Sequence, residues 1–175
     1  MRPRLLLTCL SPILIAVTPA LAENCPPLTL LTQVDMRLGV DGRPYVPVEI
    51  DGAHKRMLVD TGGFFSMLLP SAVDALRLRV RHTGLELIGI SGETTSEATH
   101  ASFALGELRA DSMDFMVAPD RYRLSPDISD AVGILAPNLL LKYDVDFDFA
   151  GAKFACSRGI IARARSSTGL RAPSP

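Results

Sequence analysis

A small, mainly β barrel or closed sandwich with two short helices is the fold this sequence predicts, and three observations predict it. Short apolar runs punctuated by Gly, Pro, Asp and Ser fill residues 45–156. Two segments break that pattern, each with a proline followed by helix-compatible residues. The chain has 175 residues, 47% hydrophobic and 21% charged, which suits one domain with a sizeable core. That apolar fraction is too high for a disordered chain. A net charge of −1 gives no general attraction to nucleic acid, so none is expected as partner.

Residues 1–22 are expected to stand outside the domain. Arg2 and Arg4 precede the almost wholly apolar residues 5–17, and Ala20-Leu21-Ala22 follows as a small-residue site. This is the pattern of a secretory signal peptide cleaved after Ala22. The apolar run is shorter than the ~20 residues a spanning helix needs, so no stable membrane span is expected after cleavage. The domain then covers residues 23–157 of an exported protein, periplasmic or secreted. Cys9 leaves with the leader, and Cys25 and Cys156 remain as a disulfide candidate in an oxidising setting, within one chain or between subunits.

The elements follow in order. Residues 45–50 alternate as a strand, Asp51-Gly52 is a hairpin turn, and residues 55–60 return. Pro47 places the first strand at an edge or leaves it unpaired there. Residues 69–76, with Pro70 at the first helical position, read as a short helix. Residues 85–90 and 94–101 form a second hairpin with a small, polar tip at Ser91-Gly92-Glu93. Residues 102–105 and 112–118 flank a turn at Gly106-Glu107, and residues 119–130 are a polar loop. Residues 131–135 read as a buried strand, 137–142 as the second helix, and 143–149 and 153–156 as the closing strands. Residues 158–175 hold Arg158, Arg163, Arg165 and Arg171 with no acid, a basic tail expected to be disordered.

Chemistry concentrates at Leu58-Val59-Asp60-Thr61-Gly62-Gly63-Phe64-Phe65-Ser66, where an apolar strand runs into an acid and two glycines. A carboxylate at the mouth of a buried strand is where burial raises the cost of ionisation, the condition an acid/base group needs. Gly62 there permits a positive φ or a close backbone approach. Asp-Thr-Gly-Gly is also good turn chemistry. No metal is expected: His54, His82 and His100 are scattered without partners at ligand spacing. Asp144-Val145-Asp146-Phe147-Asp148 superficially resembles a calcium loop. Phe149 occupies the required glycine position and Ala155 the bidentate glutamate position, which excludes it. Ser91 lies in Gly-Ile-Ser-Gly-Glu, and Glu93 breaks the nucleophile-elbow pattern.

With a second motif, the chain resembles the retropepsin-like aspartic proteases, including small exported bacterial members. Val59-Asp60-Thr61-Gly62-Gly63 and Ser66 match that family's D-T-G-x-x-x-S pattern. Gly89-Ile90-Ser91-Gly92 falls where it places its flap, and Ile134-Leu135-Ala136-Pro137-Asn138-Leu139-Leu140 resembles its apolar-apolar-Gly-x-Asn-Leu-Leu stretch. The resemblance covers about residues 43–154. It implies a retropepsin-like small closed β barrel with a flap hairpin, and an aspartic endopeptidase without a cofactor. Its substrate would be a peptide or protein.

The resemblance also assigns roles. Asp60 would be catalytic, and with one D-T-G per chain the second carboxylate would come from a homodimer partner. Two carboxylates about 3 Å apart cannot both ionise, so one acts as base on a water while the other donates. Thr61 would bond across the dyad, Gly62 and Gly63 would shape the active-site loop, and Ser66 would brace it. Gly89, Ile90, Ser91 and Gly92 would close over the substrate. Ile134, Leu135, Ala136 and Asn138 form the second motif. Two positions depart from the family: Gly63 stands where Ala or Ser is usual, so no hydroxyl there reaches the carboxylate, and Ala136 replaces a glycine. Those departures keep open a second reading, an inactive module that binds extended peptides or envelope proteins.

Overall fold

The computed structural model describes residues 27–89, 92, 94–119 and 122–158. The expected leader, Cys25 and residues 159–175 of the expected tail lie outside the described residues, as do Ile90 and Ser91.

The chain opens with β1 (Thr29–Asp35) and β2 (Arg37–Leu38), then forms the hairpin of β3 (Pro44–Ile50) and β4 (Ala53–Val59). Asp51 and Gly52 both adopt positive φ, 46° and 77°, the backbone that an Asp-Gly hairpin turn requires. After β5 (Met67–Leu68) comes α1 (Pro70–Ala75), with proline in its first turn where the missing N–H has no helical partner to lose. β6 (Arg81–Ile88), β7 (Thr94–Leu105) and β8 (Leu108–Val117) form an antiparallel run. β9 (Ala131–Leu135), α2 (Pro137–Leu140), β10 (Asp144–Asp148) and β11 (Lys153–Arg158) complete the fold.

Six strands close into a barrel. β3 pairs with β4, β4 runs parallel to β9, β9 meets β5, β5 runs parallel to β8, β8 pairs with β7, and β7 returns to β3. Closure leaves those strands without a free edge. Pro47 faces Arg56 of β4, while on its other side β2 reaches only Tyr45 and β7 begins only at Glu49. The missing N–H therefore falls in a gap of the ladder. β6 pairs with β7 alone and extends as a hairpin, and β1, β11 and β10 form a separate sheet.

Alternation along β3 and β4 divides the apolar residues between two clusters. Val46, Val48, Ile50, Met57 and Val59 join Leu68, Leu105, Phe115, Leu135 and Phe154 in the main core. Burying a side chain such as Phe115 contributes about 1.5–3 kcal/mol. Tyr45 and Leu58 instead join Ile128, with Leu124 and Ala131 packed against them, so the 122–130 loop covers the other face of the hairpin.

Several expected boundaries move. Residues 94–101 and 102–105 are one strand, and the register shift between Ala101 and Phe103 is what divides the pattern. β8 begins at Leu108, four residues earlier than expected. Arg158 belongs to β11 and packs over the Tyr143 ring, 6.0 Å from its centroid, so the tail begins after it. Cys156 is a buried free thiol on β11, and Cys25, its expected partner, lies outside the described residues.

Candidate active site

Asp60 follows the last residue of β4, and its own N–H continues the ladder by donating to Leu135 O at 2.9 Å. Strand pairing thus fixes the backbone under the carboxylate. The chain then turns back on itself: Gly62 N–H donates to Asp60 Oδ1 at 2.9 Å. Asp60 is half-buried, and Thr61 and Gly62 are exposed beside it. Among the described residues the Thr61 hydroxyl has no hydrogen-bond partner.

Neither Gly62 nor Gly63 lies in the left-handed region, which corrects the positive-φ reading of Gly62. A Cβ on Gly62 would stand 3.4 Å from Asp60 Oδ1. One on Gly63 would stand 3.8 Å from Asp60 Oδ2 and 3.7 Å from Ala136 Cβ, in ordinary contact.

Ser66 ties this loop to the second motif. Its hydroxyl donates to Asn138 Oδ1 at 2.8 Å and accepts the Ala136 N–H at 3.0 Å, and its own N–H donates to Asn138 Oδ1 at 2.9 Å. Ser66 is fully buried, so these bonds are shielded from water. Ile134 pairs with both Leu58 of β4 and Met67 of β5, and Leu135 receives the Asp60 N–H. Residues 60–66 and 134–138 are therefore one hydrogen-bonded unit, and Ala136 is accommodated within it, fully buried.

At the far hairpin, Gly92 adopts φ 82° and donates to Gly89 O at 3.0 Å, a tight turn at the tip. Among the described residues no hydrogen bond joins this turn to the Asp60 loop.

Two features escape the sequence reading. A Cβ on Gly133 would run into the carbonyl oxygen of Met67, so β9 and β5 approach closely only because residue 133 is glycine. Tyr122, on the loop read only as polar, is half-buried. Burial, and then the charge of Asp60, raise its phenol above the ordinary tyrosine range. Among the described residues no group of three or more His, Cys, Asp or Glu side chains could hold a metal ion. No helix among them is long and apolar enough to cross a membrane.

A family model described as aspartyl protease matches residues 46–138, more than half of the chain. Among solved structures, a retropepsin-like aspartic protease from Rickettsia conorii is similar at 12% identity and TM-score 0.53, over 75% of this chain and 94% of that one. The EIAV protease complexed with the inhibitor HBY-793 is similar at 21% identity and TM-score 0.43, over 60% and 91% of the two chains. The retroviral protease-like domain of Ddi1 from Leishmania major is similar at 17% identity and TM-score 0.43, over 61% and 81%. No curated protein matches the chain. With the D-T-G loop braced on the second motif inside a closed six-stranded barrel, the chain belongs to the aspartyl protease family and has the retropepsin-like fold.

Proposed function

We propose that the protein is an aspartic endopeptidase whose active unit is a homodimer, with Asp60 of each copy forming the catalytic pair. The observation that carries this reading is the placement of Asp60. It is the only acid on the D-T-G loop, and that loop is locked to residues 134–138 through buried Ser66. A dyad built from two such loops shares one proton. One carboxylate draws a proton from the attacking water, the other protonates the carbonyl oxygen of the scissile bond, and the titration belongs to the pair.

The exposed hydroxyl of Thr61, without a partner among the described residues, is available to bond the opposite loop. The hairpin tipped by Gly89 and Gly92, with Ile90 and Ser91 between them, is the element that would close over an extended peptide and exclude water. We place the mature enzyme outside the cytoplasm, in the periplasm or the medium, on the leader pattern of residues 1–22. Its domain would span residues 23–158, because Arg158 closes β11.

The deciding experiment is cleavage of a mixed peptide library by the protein from residue 23 onward across a pH series, with Asp60→Asn alongside and the association state measured by sedimentation. Cleavage by the wild type alone, with a dimer present, is the expected result. A folded wild type that cuts nothing at any pH, yet captures peptides, would replace this reading with that of an inactive binding module.

A further inference from the structure

Among the described residues, most arginines are paired. Arg37, Arg43, Arg56, Arg81 and Arg109 each reach a carboxylate, Arg123 donates to the Tyr122 carbonyl, and Arg158 lies over the Tyr143 ring. Arg77 and Arg79 are the two described arginines whose side chains have no partner among the described residues. Both line one recess of about 310 Å³, with His100 and Ser102 of β7 beside them.

The same recess carries acids. Asp51, on the β3–β4 turn, and Asp111 of β8 also line it, and neither forms an ion pair with Arg77 or Arg79. Asp111 has no hydrogen-bond partner among the described residues, and Asp51 accepts the Ser102 N–H on Oδ1 alone, at 2.7 Å. Two guanidiniums from one segment and two carboxylates from two others thus border one space without neutralising each other.

The backbone around that space is fixed. Leu78, between the two arginines, packs against the main core, and its N–H donates to Val73 O at 3.0 Å. Arg77 adopts φ 54° just after α1 and donates its N–H to Asp74 O at 3.0 Å. The Arg79 carbonyl accepts the hydroxyl of buried Thr99 at 2.9 Å. Asp51 N–H donates back to Ser102 O at 3.1 Å. A ligand therefore meets walls already in place, which lowers the ordering cost of binding.

We infer that this recess binds a small zwitterion, a free amino acid or dipeptide, with its carboxylate on Arg77 and Arg79 and its ammonium on Asp51 and Asp111. A plain anion would satisfy the guanidiniums but face two carboxylates, and a plain cation would meet the reverse. Guanidinium–carboxylate bonds are charge-assisted and select a planar, two-oxygen partner. The volume lies at the low end for small-molecule sites, which suits a ligand of that size. The recess is separate from the Asp60 site. Asp51 precedes β4 and Asp60 follows it, and seven strand residues place the two roughly 20 Å apart. The inference therefore stands independently of the protease reading.

Calorimetric titration tests it, using the protein from residue 23 onward with Asp60→Asn so that cleavage does not intrude. The probes are alanine and alanyl-alanine, with N-acetyl-alanyl-alanine, alanyl-alanine amide and inorganic phosphate as one-signed controls. Alanine or alanyl-alanine is expected to bind about tenfold or more tightly than every control, and the tighter of the two names the ligand. Arg77→Gln with Arg79→Gln is expected to weaken that binding about tenfold or more, and Asp111→Asn about threefold or more. All three side chains are exposed, so unchanged thermal melts are expected. Should the arginine variant not fold, Asp111→Asn and the probe comparison still decide. Absence of zwitterion binding, binding that none of these changes moves, or a control that binds as tightly as the zwitterion would overturn the assignment and leave the protease reading untouched.

Discussion

Ser66 Oγ donates to Asn138 Oδ1 at 2.8 Å across 72 residues of chain, and the same hydroxyl oxygen accepts the Ala136 N–H. This one buried side chain satisfies groups on both motifs, so neither loop holds its conformation without the other. Ser66→Ala leaves the Ala136 N–H buried without a partner and Asn138 short of one donor. The expected cost is about 1–3 kcal/mol of stability, read from chemical denaturation. A larger proportional loss of peptide cleavage is expected at temperatures where the variant stays folded, because the displaced loop carries Asp60. A variant with wild-type stability and wild-type cleavage would show that the bridge is dispensable.

Glycines 133 and 63 should respond oppositely to the same change. Gly133→Ala drives a methyl group into the Met67 carbonyl, backbone that cannot swing aside, so β5 and β9 must separate. The expected loss is about 3 kcal/mol or more, or failure to fold. Gly63→Ala places its methyl group 3.7 Å from Ala136 Cβ with ordinary φ. A change of within about 1 kcal/mol is expected, because the unfolded chain also loses freedom. Thermal melts of the two variants decide it, and equal destabilisation would refute the distinction.

The contrast between those glycines also marks what was readable in the sequence. The hairpin at Asp51-Gly52, the helices beginning at Pro70 and Pro137 and the strand at residues 131–135 announce themselves through local chemistry: turn residues, a first-turn proline, an apolar run. Asp60 was legible for the same reason, an apolar strand running into an acid, and Ser66 through the resemblance to the D-T-G-x-x-x-S pattern. β1 and β2 were not read, because residues 23–44 carry weak alternation and β1 gains its place only by pairing with β11 at the far end of the chain. Gly133 sits inside an apolar strand run, and nothing local distinguishes a glycine required by a backbone neighbour from one that is merely tolerated. Tyr122 lay in a polar loop whose closure depends on Arg37, Arg43 and Tyr45, contacts 80 or more residues away.

That closure should survive acid. The Ser125 hydroxyl and then the Val40 N–H hold the Asp127 carboxyl below its usual range. A depressed carboxyl contributes stability above its unfolded pKa of 3.8 and loses it only as pH falls through the lower folded value. Between about pH 4.5 and 7 the loop is therefore expected to resist limited proteolysis equally well. Asp127→Ala removes both acceptors and is expected to expose the loop to cutting across that whole range. Loop cleavage in the wild type that rises steeply at pH 4.5 would contradict the clamp.

Cys156 offers a test at the other end of the pH scale. It is fully buried between Val145 and Thr32 on the neighbouring strands, and burial pushes its thiol up to about 11 from 9.0. The folded state then keeps its proton while the unfolded thiol ionises. Below pH 9 the contribution is constant. Between pH 9 and about 11 the wild type should lose stability relative to Cys156→Ala, with a slope of about 1.4 kcal/mol per pH unit. A thiol reagent at pH 8 should label Cys156 only as fast as the protein unfolds, and should label it promptly in denaturant. Failure to label in denaturant until a reductant is added would mean that Cys156 is oxidised in the isolated protein, and would revive its pairing with Cys25 or with a second subunit.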